Sequence, residues 1–174
     1  HLSSRRQRQM CIRDRLWSVR WPFLYRFKMQ LGHLTMDALI HPSAQAVLDG
    51  DVQIRERFGV VVSRAQEGEC DLSLVVDEGW INAAGYTHGS VAYAVMDSAC
   101  AYASASLKKL AVTVNGNVTY TRGTQAGAVL SVRAKLLSQS KRVMTFHTDI
   151  TDERQRLIAV SYTHLRAHET PLYR

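Results

Sequence analysis

Between Asn82 and Leu107 one carboxylate stands where only chemistry or a specific partner would hold it. From Ser90 to Leu107 the chain has eighteen residues without Gly or Pro, six of them Ala, and Asp97 is their single charge. A carboxylate among apolar neighbours loses several kcal/mol of hydration unless it is paired or working. Such a group can take a proton from water or attack a carbonyl directly. Just upstream, Asn82, Gly85, His88 and Gly89 form a short loop. The loop feeds the run that contains Asp97, so Gly89 and Ser90 would offer unpaired backbone N–H groups at the positive end of a helix. That arrangement stabilises a developing oxyanion, and a glycine at 89 would let a substrate carbonyl come close to the backbone.

The elements that must hold these residues follow from composition and period. Ala-rich sequence favours helix, and the near absence of charge predicts a helix buried over most of its circumference, about 27 Å long at ~1.5 Å per residue. Asp37 to Leu48 predicts a short helix, broken or restarted at Pro42 and ended by Asp49-Gly50-Asp51. From Arg57 the pattern becomes strand. Glu67-Gly68-Glu69 is a turn, after which Cys70, Leu72, Leu74 and Val76 alternate with polar residues at the period of two of a half-buried strand.

After Lys108-Lys109, Val112, Val114, Val118 and Tyr120 are expected on one strand face, with Thr113, Asn115, Asn117, Thr119 and Thr121 on the other. Gly116 within that run suggests a bulge or a close approach of backbone. Further strands are expected at Val129 to Leu137, Val143 to Ile150 and Leu157 to Tyr162. The order is helix, two strands, long helix, four strands, which predicts an α+β domain with one helix against a mostly antiparallel sheet.

The chain of 174 residues has a formal charge of +7. That charge is not spread evenly. Residues 1–28 carry eight Lys/Arg against Asp14 alone, whereas residues 29–160 hold twelve basic and thirteen acidic residues. The globular part therefore lacks the basic face that nucleic-acid binding needs, and no nucleic-acid partner is expected for it. Arg6 to Arg15 and Ser161 to Thr170 resemble translated sequencing-library adapter. On this reading 1–28 and 161–174 are non-native tails and 29–160 is the domain.

No stretch approaches the ~20 apolar residues of a membrane span, so a soluble, cytoplasmic protein without membrane partners is expected. Cys11, Cys70 and Cys100 lack C-x-x-C spacing and fit a reducing compartment. His164 and His168 are spaced like ligands on a helix but have no third ligand nearby, so neither a metal nor a cofactor is expected. Tyr93 and Tyr102 read as core or interface residues.

At these positions the chain resembles a known family. Asn82-Ala-Ala-Gly85-Tyr-Thr-His88-Gly89-Ser90, with Asp97 nine residues after His88 and Ala99-Cys100-Ala101-Tyr102 following, resembles the hotdog-fold acyl-CoA thioesterases of the PaaI-like, phenylacetate-pathway group. The likeness covers roughly residues 55 to 160, and Ala111 to Tyr120 is similar to the family's strand after the helix. It implies an antiparallel sheet wrapped around one long central helix, homodimers or homotetramers, and hydrolysis of acyl-CoA esters to acid and CoA. It also implies that Asp97 of one subunit works with Gly89 of the other, with Asn82 positioning the water or the Asp. Thr113 would add a hydroxyl near the attacking water, and His88 would orient the loop or support the carbonyl. Three positions depart from the family: Ser90 and Ala128 replace a usual Gly and Asp, and Gly123 stands where a Pro commonly follows an Arg.

Two other classes stand beside this reading. One is a non-catalytic acyl-CoA-binding hotdog module with a sensor role, which would need a helix-turn-helix in residues 1–54, where Trp21-Pro22 and Pro42 interrupt. The other is a hotdog hydratase or dehydratase, for which no His-Phe-Pro-Gly element is present.

Overall fold

The computed structural model of the chain describes residues 39–168. The basic segment 1–28, Cys11 and the residues beyond 168 lie outside these. A two-residue strand, β1 (Leu39–Ile40), leads into α1 (Pro42–Gly50). Pro42 opens this helix, the restart rather than the break of the two that the sequence allowed there, because a first-turn position needs no N–H and suits the fixed φ of proline. His41 caps the helix, its Nδ1 accepting from the Ser43 N–H at 3.1 Å. A second short helix, α2 (Val52–Arg57), fills the interval between the helix end expected at Asp49-Gly50-Asp51 and the strand pattern expected from Arg57, and it takes in Arg57 itself.

The hairpin of β2 (Val61–Gln66) and β3 (Glu69–Val75) turns at Glu67 and Gly68, both at positive φ. That pair of conformations matches the twist of antiparallel strands. The central helix α3 (Gly89–Ser106) follows, and then β4 (Ala111–Tyr120), β5 (Val129–Gln139), β6 (Val143–Asp152) and β7 (Leu157–Ala167). The sheet order is β1-β2-β3-β5-β6-β7-β4, antiparallel except for β1 with β2. β4 leaves the helix and lands at the far edge of the sheet.

Alternation decides which side chains meet the helix. Cys70, Leu72 and Leu74 of β3, Leu130, Val132 and Ala134 of β5, and Met144, Phe146 and Ile150 of β6 are all buried, as are Val95, Met96, Ala99 and Ala103 of α3. Small residues on the helix let it lie close to the sheet, and Phe146 fills the space left between. The opposite sheet face is polar. Asp71 pairs with Arg133 at 2.7 Å, and Glu69 with Arg64 at 2.5 Å and Lys135 at 3.7 Å. Exposed pairs of this kind each add at most about 1 kcal/mol, so they keep the face wet more than they hold it together.

The domain does not stop at residue 160. β7 runs on to Ala167, with Met144↔Leu165 and Phe146↔Thr163 on one side and Thr113↔Leu165 and Gly116↔Thr163 on the other. Ser161, Thr163 and Leu165 are buried. The boundary expected from the sequence therefore falls in the middle of a strand that is paired along both edges.

Candidate active site

The loop before α3 is held by its own polar groups. Asn82 Oδ1 accepts from the Ala84 N–H at 2.8 Å and the Tyr86 N–H at 3.2 Å, an Asx-type turn. Gly85, at φ +81, makes the reversal possible, and Ile81 bridges to Thr87. The Thr87 N–H donates to the Thr124 carbonyl at 2.8 Å, which ties the loop to the β4–β5 connection. Gly123 has a reason to be glycine. A Cβ there would sit 2.5 Å from Tyr86 Cδ1, so the tyrosine ring takes the space a larger residue would need.

His88 is the N-cap of α3. Its Nδ1 accepts from the Ser90 N–H at 3.2 Å and lies 2.7 Å from Ser90 Oγ. Because an amide N–H can only donate, Nδ1 is the acceptor, and the neutral ring carries its proton on Nε2. The His88 N–H donates to the Trp80 carbonyl at 2.8 Å, and the His88 carbonyl accepts from the Val91 N–H at 3.0 Å. No hydrogen bond among the described residues engages the Gly89 N–H. That donor is left open at the helix start, where the dipole is positive.

Asp97 is half-buried, which differs from the fully enclosed carboxylate that the sequence suggested. The helix keeps one accessible stripe, Ser90, Tyr93, Ala94, Asp97, Ser98 and Ala101, at the spacing of a single helical face. Thr113 Oγ1 donates to Asp97 Oδ1 at 2.5 Å. Oδ1 thus has a fixed partner, and no hydrogen bond from a described residue is seen to Oδ2.

β4 meets the helix from both sides of a bulge. The pairing with β7 shifts between Thr113 and Asn115, so Val114 is an extra residue. Thr113, Gly116, Val118 and Tyr120 consequently turn toward the helix, while Val112 and Val114 stay 55% and 56% exposed. The single valine face expected from the sequence is split. At Gly116 a Cβ would lie 2.6 Å from the Tyr93 hydroxyl, and at Gly89 one would lie 3.1 Å from Tyr120 Cζ. Tyr120 Oη also donates to the Gly89 carbonyl at 2.9 Å. Glycine at 89 therefore admits a tyrosine ring, where the sequence reading gave that space to a substrate carbonyl. Partial burial and the neighbouring Tyr93 push the Tyr120 phenol up, so it stays a protonated donor.

Behind the stripe, Cys100 is buried with Sγ 3.2 Å from Thr148 Oγ1. Burial pushes its thiol up to about 11, which makes it a poor nucleophile. Tyr102 is fully buried in the core, and Tyr93 is on the open stripe. Tyr120 and Tyr93 are the site neighbours that sequence reasoning left out. Tyr93 precedes Asp97 by four residues, and that spacing alone places the two on one face.

Residues 84–159 match the family model described as Thioesterase superfamily. The fold is that of a hotdog domain, and over these residues the chain is similar to the thioesterase superfamily. The domain resembles the PaaI protein of the E. coli phenylacetic acid degradation operon, with a TM-score of 0.71 and 22% identity over 74% of this chain and 93% of that one. It also resembles a variant of the phenylacetic acid degradation protein PaaI from Thermus thermophilus, with a TM-score of 0.63 and 28% identity over 66% and 97%. A third likeness, a hypothetical thioesterase protein from Streptococcus pneumoniae solved with coenzyme A, has a TM-score of 0.61 and 16% identity over 66% and 96%. A curated relative from Archaeoglobus fulgidus, to which an esterase activity is ascribed, is 29% identical over 96 residues. The match spans 62% of that relative's length and 55% of this chain. Among the described residues no helix is long and apolar enough to cross a membrane, and no group of three His, Cys, Asp or Glu could hold a metal ion.

Proposed function

We propose that the domain hydrolyses acyl-CoA thioesters at a site built from two copies of the chain. One observation carries the reading: the Asp97–Thr113 pair and the open Gly89 N–H lie on the same helix but eight residues apart, about 12 Å along its axis at ~1.5 Å per residue. A carbonyl attacked beside Asp97 cannot also touch Gly89 of its own chain. Gly89 of the partner subunit can complete the site if the two α3 stripes face each other. The edge of β4, unpaired among the described residues and with Val112 and Val114 exposed, supports such a pairing because an open strand edge is a template for a second copy. Asn82 and His88 would then serve from the partner's loop, the first toward the water and the second toward the carbonyl.

In this arrangement Asp97 takes a proton from water while the water oxygen bonds to the thioester carbon. The carbonyl oxygen becomes an oxyanion held by the Gly89 N–H of the partner subunit, a type of contact whose loss typically costs about 3 kcal/mol. Collapse breaks the C–S bond, the CoA sulfur leaves as thiolate and regains the proton from Asp97, and the products are free acid and CoA. Coenzyme A in the Streptococcus pneumoniae structure and the likeness to PaaI proteins support a CoA ester as substrate. The free thiols Cys70 and Cys100 suit the reducing cytoplasm, where such esters are found.

The test is release of CoA thiol from a panel of aromatic and aliphatic acyl-CoAs by the parent chain and by Asp97→Asn. Turnover by the parent, with the folded variant slower by about a hundredfold or more, roughly 3 kcal/mol of barrier, upholds the reading. Equal rates would remove Asp97 from the chemistry. Tight CoA binding without turnover would favour the non-catalytic acyl-CoA module.

A further inference from the structure

The peptide that carries the Gly89 N–H joins His88 to Gly89, and each peptide beside it is fixed. The one before is held by the His88 N–H on the Trp80 carbonyl at 2.8 Å. The one after, joining Gly89 to Ser90, is held twice: its N–H donates to His88 Nδ1, and its carbonyl accepts from Tyr120 Oη at 2.9 Å. The His88 contact is local, within one turn of chain. The Tyr120 contact spans 31 residues and comes from the edge strand that also supplies Thr113. The Tyr120 ring lies against Gly89, where Cζ and Oη would be 3.1 and 3.2 Å from any Cβ, so a side chain at 89 would push the tyrosine away.

We infer that Tyr120 is a positioning residue for the reaction: its hydroxyl and ring hold the start of α3 against β4 so that the Gly89 N–H is aimed before substrate arrives. This rests on the thioesterase reading above. Preorganised donors stabilise a transition state because they need no reorientation when charge develops, so loosening one lowers turnover more than binding. β4 thereby braces both partners of the chemistry, Thr113 on Asp97 and Tyr120 on Gly89. Thr113 fixes the attacking side of its own subunit's site, and Tyr120 fixes the oxyanion side of the site it shares with the partner.

The experiment compares Tyr120→Phe with the parent in steady-state kinetics on the best acyl-CoA, in thermal melting, and in amide 15N shifts of Gly89 and Ser90. The phenylalanine keeps the ring over Gly89 and removes only the hydroxyl. The expected result is kcat lower by about tenfold with KM within about twofold, an almost unchanged melting temperature, and displaced Gly89 and Ser90 shifts. Unchanged kcat would overturn the inference. So would a loss that appears in KM or in melting temperature alone, since that would make Tyr120 a packing residue. Inactivity of the parent on every thioester would defeat the thioesterase reading instead. In that case unchanged amide shifts would overturn the anchoring as well, and displaced shifts would sustain it.

Discussion

Thr113 Oγ1 donates to Asp97 Oδ1 at 2.5 Å, the contact that joins the strand after the helix to the helix itself at the proposed site. A hydrogen bond to the charged form stabilises a carboxylate and fixes its rotamer. Thr113→Val keeps the shape and removes the donor, and kcat is expected to fall by about tenfold while Thr113→Ser retains most activity. Initial rates of thiol release on the two variants check this.

Subunit mixing separates a shared site from a private one. Asp97→Ala and Gly89→Pro are each expected to be nearly inactive as pure preparations. If Asp97 works with Gly89 of the partner subunit, a mixed dimer keeps one intact site and loses the other. Random exchange of equal amounts makes about half the dimers mixed, so about a quarter of parental activity should return. No recovery, with exchange verified by mass, would place both residues in one subunit's site.

Oxygen labelling distinguishes water activation from a covalent intermediate. On the proposed reading, Asp97 acts as a base while Thr113 holds one of its carboxylate oxygens. Repeated turnover in 18O water should label only the released acid. Label in the Asp97 side chain, read by mass spectrometry of its peptide, would establish an acyl-aspartate.

The extent of β7 has a direct consequence for truncation. Ending the chain after Val160 removes Ser161, Thr163 and Leu165 from the core, together with the pairing of the second half of β7 to both β4 and β6. Lost burial of Leu165 alone is worth about 2–3 kcal/mol, a large part of the stability of one domain. The shortened chain should show no cooperative melting by circular dichroism, whereas one ending at residue 168 should melt cooperatively.

Alkaline pH should weaken the fold through its thiols. Burial raises the Cys100 thiol from 9.0 to about 11 and raises the Cys70 thiol further. Below pH 9 the thiols are neutral both folded and unfolded, so their contribution is fully present. Above pH 9 the unfolded chain releases these protons and the folded one retains them, so stability falls as pH rises toward 11. Melting temperatures from pH 8 to 11 should decline, and less steeply in Cys70→Ala/Cys100→Ala. At pH 8 neither thiol should react with Ellman's reagent in the folded protein.

Much of this was legible in the residues. Eighteen positions without Gly or Pro gave the central helix, and the loop of Asn82, Gly85, His88 and Gly89 gave its entry. Local pattern served less well where tertiary pairing decides. The Val/Thr alternation from Val112 to Thr121 reads the same with or without an extra residue, so although Gly116 suggested a bulge or a close approach in this run, only the pairing with β7 places the bulge at Val114. α2 has too few buried positions to mark a period, none of its residues being buried. The end of β7 was set aside because Ser161 to Thr170 resembles translated sequencing-library adapter, although Ser161, Thr163 and Leu165 keep the period of two that the sheet requires. Tyr120 escaped notice because its partner is a backbone carbonyl 31 residues away.

The extra residue at Val114 also sets how this strand tolerates changes in length. Thr113 and Tyr120 are seven positions apart, an odd number, and in a regular strand they would point to opposite sides. The extra residue at Val114 is what brings them to one side, and flattening the bulge without losing a residue would swing one of the two away from the helix. A one-codon deletion there would leave them six apart, an even number, so a regular strand could still serve both Asp97 and Gly89, whereas a one-codon insertion would add a second residue for the pairing with β7 to absorb.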